Sequence, residues 1–241
     1  MSNDYKMADY KMALVTGASR GLGQALAGYL ASRRYRLVVT ARNRDLLAAA
    51  AAEISELTDV TAIAGDVQDA DHRHALAKAV GGRLDLLINN ASDLGETPLP
   101  PLVEYDLERL RQVFETNVVA PVALVKQTLP ALRRAGGLVV NITSDAAKGG
   151  YPGWGGYGAS KAALDLIGRT LAQELDGVTV VNVDPGDMRT EMHQAAYPGE
   201  DISDRKLPED TLPFWAWLLE QDGAQLDGRR LEAQAEVWEL V

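Results

Sequence analysis

The chain has 241 residues, 46% of them hydrophobic, enough for one large domain with a buried core or for two small ones. It holds no cysteine, which excludes disulfides and thiolate catalysis, and its three histidines, His72, His74 and His193, argue against a histidine-built metal site. A formal net charge of −10 argues against nucleic acid or an anionic membrane as the main partner.

No apolar run reaches the roughly 18 residues of a membrane span. The N-terminus is polar with both charge signs, unlike a signal peptide, so a cytoplasmic location is expected. Residues 4–8, Asp-Tyr-Lys-Met-Ala, recur as residues 9–13, a short duplication or start-site scar at the end of a tail spanning residues 1–10.

The second copy runs into a strand over residues 12–16. There follow Thr16-Gly17-Ala18-Ser19-Arg20-Gly21-Leu22-Gly23 and a helix with Leu22, Leu26 and Leu30 on one face. Strand, glycine-rich turn and helix is the setting a dinucleotide fingerprint requires. Gly17 permits the tight turn, Gly21 lets the backbone approach a pyrophosphate, and Gly23 allows helix to pack closely on sheet. The helix N-terminus offers N–H groups and a positive dipole end to the phosphates. The spacing Gly-x-x-x-Gly-x-Gly differs from the common Gly-x-Gly-x-x-Gly, and the Gly-Lys-Ser/Thr of a phosphate-binding Walker loop is absent.

A second strand is expected over residues 36–40. The acid that accepts from a free ribose 2′-OH near such a strand end is missing, and Ala41, Arg42 and Asn43 stand there. Arg42, with Arg20 across the turn, suits a 2′-phosphate, which favours NADP(H) over NAD(H). Helices over residues 45–57 and 70–80 alternate with strands over residues 60–64 and 84–88. His72 and His74 fall in a polar helical stretch and are expected to be solvated. A proline-rich loop (92–101) precedes a long helix over residues 103–134, bent near Pro121, with Asn117 inside it.

Val139 to Thr143 reads as a buried strand, and a helix begins near Gly156. Tyr157 and Lys161, four apart, share one helix face, and the loop between can bring Ser144 alongside. A phenol, an ammonium and an alcohol converging make a proton-transfer site, in which a nearby lysine cation favours the phenolate. A last long strand, residues 178–183, leads to Asp184-Pro185-Gly186-Asp187-Met188-Arg189-Thr190. Residues 188–207 read as a flap, residues 212–219 as a helix with an aromatic face, and residues 230–233 as a final strand. The alternation of strands and helices indicates an α/β, Rossmann-type, doubly wound parallel sheet in three layers, one domain over residues 11–241.

The chain resembles the short-chain dehydrogenase/reductase family, from about residue 11 to 190 and more loosely beyond. The resemblance rests on Thr16-Gly17-x-x-x-Gly21-x-Gly23, Asp66, Asn89-Asn90-Ala91, Asn117, Ser144, Tyr157-x-x-x-Lys161, Pro185-Gly186 and Thr190, in this order. It implies Tyr157 as the acid/base, Lys161 lowering its pKa and binding the nicotinamide ribose, Ser144 orienting the substrate carbonyl, and Asn117 supporting a water relay. It further implies Gly17, Ser19, Arg20, Gly21, Leu22, Gly23 and Arg42 around the phosphates, Asp66 and Val67 at the adenine, Asn89 and Ala91 beside them, and Pro185, Gly186 and Thr190 at the nicotinamide. Substrate contacts are expected from Ser144, Tyr151, Trp154, Asp187 and Met188, with Leu94, Asp145 and Met192 nearby. Ser92 stands where the family commonly has glycine. The run Leu226-Asp227-Gly228-Arg229-Arg230-Leu231 lacks the family's frequent Thr-Gly-Gln, so substrate and oligomer contacts do not carry over.

The expectation is an NADP(H)-dependent carbonyl reductase or alcohol dehydrogenase acting on a small molecule, assembled as a homotetramer or dimer. One alternative is a 3-oxoacyl-acyl-carrier-protein reductase, for which Arg133-Arg134 offers a local basic patch to an acidic carrier. Another is an NADP-sensing regulator without turnover, which has no need of the Asn, Ser, Tyr and Lys set.

Overall fold

The computed structural model describes residues 10–240. The first copy of the N-terminal repeat and nearly all of the expected tail lie outside them. Seven parallel strands form one sheet: β1 (Met12–Thr16), β2 (Arg36–Ala41), β3 (Val60–Ala64), β4 (Leu86–Asn89), β5 (Leu138–Ile142), β6 (Thr179–Asp184) and β7 (Arg230–Glu232), in the order β3-β2-β1-β4-β5-β6-β7. Helices lie on both faces: α1 (Gly21–Ser32), α2 (Arg44–Ser55), α3 (Ala70–Val80), α4 (Leu107–Phe114), α5 (Ala120–Ala135), α6 (Gly155–Glu174), α7 (Glu191–Ala196), α8 (Leu212–Leu218) and α9 (Gly223–Leu226). This is the Rossmann-type single-domain sheet that the alternation indicates.

Strand side chains alternate between faces, which sorts the apolar residues into two cores. Ala13, Val15, Val39 and Ile88 pack with Leu22, Leu26 and Leu30 of α1 and with Phe214 and Trp215 of α8. Leu14, Val38, Leu87 and Val139 pack with Leu76 of α3 and Leu124 and Leu132 of α5. Among the described residues no helix is long and apolar enough to cross a membrane.

Two expectations need correction. The helix over residues 103–134 is broken: a 3-10 turn covers Leu102–Glu104, and α4 starts afresh at Leu107 because Asp106 caps it, accepting from the Arg109 N–H at 2.8 Å. Between α4 and α5 the chain widens into a π turn, Glu115–Val119. The cause is Pro121, which has no N–H to give to the carbonyl four residues back, that of Asn117. His72 is buried, not solvated, and its Nε2 pairs with the Thr40 hydroxyl at 2.8 Å; burial pushes its pKa down. The aromatic face of α8 belongs to the core: Phe214 and Trp215 are fully buried and Trp238 stacks edge-on against Phe214.

Candidate active site

Strand order reverses between β1 and β4, and loops leaving their C-terminal ends diverge there, which opens a crevice. A cleft of about 1040 Å³ occupies this position and extends along the ends of β5 and β6 to the flap. The glycine-rich turn forms one wall. Gly17 and Gly21 have φ of +67° and +56°, a left-handed backbone that a side chain would strain. A Cβ at Gly23 would run into the Gly17 carbonyl, so α1 can start this close to the turn only with glycine there. The Thr16 hydroxyl accepts the N–H groups of Asn90 and Ala91 at 3.0 and 2.9 Å, and Asn90 returns a bond to the Thr16 carbonyl at 2.9 Å. The two loops that face a ligand are therefore fixed to each other.

Ser19, Arg20, Leu22, Arg42, Asp66, Val67 and Ala91 line the same wall, Pro185 and Gly186 line the cleft farther on, and Thr190 lies beside Gly21. Asn89 does not join them. Its side chain is buried in the sheet, donating to Asn141 at 2.9 Å, and Asn141 donates in turn to Asn182 at 3.1 Å. The neighbouring Asn90 is the asparagine on the cleft wall.

Ser144 leaves β5 in extended conformation, and its hydroxyl donates to Asp145 at 3.0 Å. Tyr157 and Lys161 point inward from the first turns of α6, at 9% and 1% exposure. Lys161 Nζ donates to the Ile142 carbonyl at 2.8 Å. Ser144, Tyr157 and Lys161 all face the cleft. Asn117 sits behind them, 1% exposed, with both ends of its amide committed. Its oxygen accepts from the Asp93 N–H at 2.7 Å and the Ser92 hydroxyl at 3.2 Å, and its nitrogen donates to the Asp93 carbonyl and to Ser160 at 2.8 and 2.9 Å. It ties the loop after β4 to α6.

The match to known proteins follows this geometry. A family model described as short chain dehydrogenase matches residues 11–201. The chain belongs to the short-chain dehydrogenase family. It is 34% identical to the short chain dehydrogenase penD of Penicillium thymicola, over 96% of this chain and 93% of that one. It is 35% identical to the rhamnolipids biosynthesis 3-oxoacyl-acyl-carrier-protein reductase of Pseudomonas aeruginosa, over 90% of this chain and 87% of that one. A short-chain dehydrogenase from Shigella flexneri 2a, solved in complex with NADP, superposes with a TM-score of 0.87 at 30% identity, covering 93% of this chain and 97% of that one.

As a short-chain dehydrogenase the protein is an oxidoreductase of a family that uses nicotinamide cofactors, and the cleft fits such a group. A bare-glycine cradle sits at the N-terminus of a 12-residue helix, and no carboxylate stands at the end of β2. Arg42 is exposed on the cleft rim there. Arg20, expected to meet the same phosphate, is paired with Glu191 at the start of α7, so here it bridges the cradle to the flap. The flap is closed at its base by a bridge between Met188 and Lys206, and Thr190 caps α7 by accepting from the His193 N–H at 3.2 Å.

Burial dominates the titration of Tyr157 and Lys161 in this short-chain dehydrogenase. The Tyr157 phenol is pushed up to about 12, first by burial and then by the Asp184 and Asp145 carboxylates, while hydrogen bonds with Ser92 and Ser144 pull it back. Lys161 is pushed down to about 8 by burial, opposed by Asp165 and Asp184. Lys161 lies 5.5 Å from the centre of the Tyr157 ring, and burial is the larger influence on the phenol in the protein alone. The ammonium gives one of its three N–H groups to Ile142, and removing a phenolate from water costs more than its neighbours return.

The substrate end is lined by Leu94, Asp145, Tyr151, Trp154, Asp187, Met188 and Met192. Tyr197 of the flap, which the sequence does not single out, joins them: its ring lies 6.0 Å from Trp154, and Trp154 meets Tyr157 edge-on at 5.7 Å. Its signal was an aromatic in an otherwise polar flap. Ser92 is a second such residue, visible beforehand only as a departure from glycine.

Proposed function

We propose that the chain is an NADP(H)-dependent carbonyl reductase or secondary-alcohol dehydrogenase with Tyr157 as its acid/base. The observation that carries this is the convergence of Ser144, Tyr157 and Lys161 on one cleft whose other end has a glycine cradle and an exposed arginine. When bound, the cofactor supplies or accepts the hydride. Ser144 and Tyr157 hydrogen-bond the substrate oxygen where negative charge develops, and Tyr157 gives that oxygen its proton in reduction and takes it back in oxidation. Lys161 holds the loop after β5 through Ile142 and adds a positive charge beside the phenol. Trp154, Tyr197, Leu94 and Met188 keep water from the reacting carbon. That the Shigella flexneri relative was solved with NADP supports the choice of cofactor.

Following absorbance of NADPH with a panel of ketones, aldehydes and diketones tests the reading. Oxidation of NADPH dependent on one of these carbonyls is the expected result; NADPH binding without turnover across the panel would leave the sensor role in its place.

The Pseudomonas aeruginosa relative favours a second reading, reduction of a 3-oxoacyl group on a carrier protein. The patch expected for an acidic carrier is not at the cleft, however. Arg133 and Arg134 end α5, at the edge of the sheet where β5 begins, opposite the strand ends that form the site. The cleft rim mixes Arg20, Arg42 and Arg189 with Asp145, Asp187, Glu191 and Glu209. A 3-oxoacyl thioester turned over faster on a carrier than as the free small thioester decides for this reading.

A homo-oligomer, dimer or tetramer, also belongs to the proposal. Leu107 on α4, Val119 in the π turn and Leu166 on α6 expose apolar side chains on neighbouring elements. Light scattering giving a mass of two or four chains is expected, and a single 26.0 kDa chain refutes it.

A further inference from the structure

The C-terminal strand carries a cation that reaches into the back of the site. Arg230 starts β7, yet its side chain is only 16% exposed. Its Nε donates to Asp165 of α6 at 3.0 Å. One terminal nitrogen, Nη2, donates both to Asp184 at the end of β6, at 3.0 Å, and to the Ser144 carbonyl, at 2.9 Å; the other, Nη1, reaches Glu232 at 3.2 Å. Each contact is on a different element, and three of those elements carry site residues. We infer that Arg230 is a positioning residue of the reaction: its guanidinium fixes the Ser144 main chain and screens Asp184 and Asp165 from the Tyr157–Lys161 pair.

The first half of this rests on the carbonyls. The segment from Ile142 to Ser144 brings the catalytic hydroxyl out of the sheet, and a cation grips it at each end. Lys161 holds the Ile142 carbonyl and Arg230 the Ser144 carbonyl. A hydroxyl that must meet a substrate oxygen to within a few tenths of an ångström needs its backbone fixed this way. A lysine at position 230 could not span these contacts, because its single ammonium has no planar fork.

The second half rests on charge. Asp165 and Asp184 are buried, with side chains 11% and 6% exposed. Among the described residues Arg230 is the one hydrogen-bonding partner of the Asp165 carboxylate, whose Oδ1 is buried without any. Both carboxylates act on Lys161, and Asp184 also acts on Tyr157. The groups facing Tyr157 are Ser92 after β4, Ser144 and Asp145 after β5, Lys161 on its own helix and Asp184 from β6. With Arg230 removed, the negative charge of Asp184 would act on the phenol without its counterion and hold the proton on it more tightly.

The inference rests on the proposed function, so its test carries a control for that reading. Arg230→Met and Arg230→Lys are compared with the parent using the best ketone of the panel and its alcohol. NADPH affinity is read by fluorescence, and the pH profile in the oxidation direction, where Tyr157 must lose its proton. Arg230→Met is expected to lose about 10- to 100-fold in kcat, to keep NADPH affinity, and to move the rising limb of the profile to higher pH. Arg230→Lys is expected to recover the position of the limb and part of kcat. A parental kcat and limb in Arg230→Met overturns the inference, as does a lowered kcat with the limb unmoved, which is what a merely structural arginine would give. If Arg230→Met does not fold, Arg230→Lys is read alone and a parental kcat in it overturns the inference. Tyr157→Phe runs alongside: if it turns over at the parental rate the underlying reading fails, whereas an inactive Tyr157→Phe beside a parental Arg230→Met removes only the role of Arg230.

Discussion

Lys161 Nζ lies 5.5 Å from the centre of the Tyr157 ring, over its face, while donating its hydrogen bond to the Ile142 carbonyl. The two residues share a helix face, as their spacing of four requires. Burial keeps Tyr157 a phenol in the protein alone. It is ready to give a proton, which suits carbonyl reduction, and must be helped to take one.

Replacing Tyr157 by Phe keeps the ring against Trp154 and removes the transferable proton. Turnover should fall by at least ~10²-fold, the lower range for a general acid–base group. NADPH binding, followed by fluorescence, should persist. Near-parental kcat in this variant would falsify the acid/base assignment.

Ser92 is expected to matter more than a loop serine should. Its hydroxyl donates to Asn117 and lies close enough to the Tyr157 phenol to pull its pKa down. To favour the phenolate Ser92 turns its one proton from Asn117 to Tyr157; Ser92→Ala removes that bond, worth about 1 kcal/mol, so the rising limb of the oxidation profile should move up by somewhat under one pH unit. An unmoved profile would show that Ser144 alone supports Tyr157.

The buried lysine sets a pH dependence of stability. Its folded pKa, about 8, lies below its ordinary 10.5, so between these values the unfolded chain binds more protons and stability rises with pH. The cost of holding a buried ammonium is fully present below about pH 8 and is relieved as pH climbs towards 10.5. Lys161→Met has no such window. The stability of the parent relative to that variant should rise across it by at most about 3.5 kcal/mol, some two and a half units at about 1.4 kcal/mol each. Urea unfolding of the cofactor-free proteins at pH 7.5 and 10 measures this, and a constant difference rejects it.

Cofactor preference should rest mainly on Arg42, because Arg20 is held by Glu191. A charge-assisted bond to phosphate is worth roughly 1.5–3 kcal/mol, and exposure of Arg42 places it at the low end. NADPH should be preferred over NADH by about 10-fold in kcat/KM, and Arg42→Asp should erase or invert that ratio. If Arg20 leaves Glu191 for the phosphate, Glu191→Gln should widen the preference. Equal use of both cofactors by the parent would mean that these arginines are surface cations.

Several elements fixed by local pattern were legible. β1, β3 and α3 have the bounds that residue pattern assigns them, because a buried apolar strand such as β1, a short run with β-branched residues such as β3 and an amphipathic helix such as α3 are each written into the order of residues. Gly17, Gly21 and Gly23 announced a cradle because only glycine tolerates those torsions and approaches. The sequence also placed Tyr157 and Lys161 together, since helical spacing is a local property. Contacts between elements were not legible. Arg230 lies 86 residues from Ser144, and nothing in either neighbourhood points to the other until β7 pairs with β6 and carries the guanidinium under the loop. His72 looked solvated because its neighbours in sequence are polar; α3 packs it against Thr40, 32 residues away. Asn89 and Asn90 are adjacent and chemically identical, and strand pleating sends one into the sheet and the other to the cleft. The pKa values of Tyr157 and Lys161 belong to the same class, because desolvation depends on everything packed around a group, and only the tertiary structure assembles that shell.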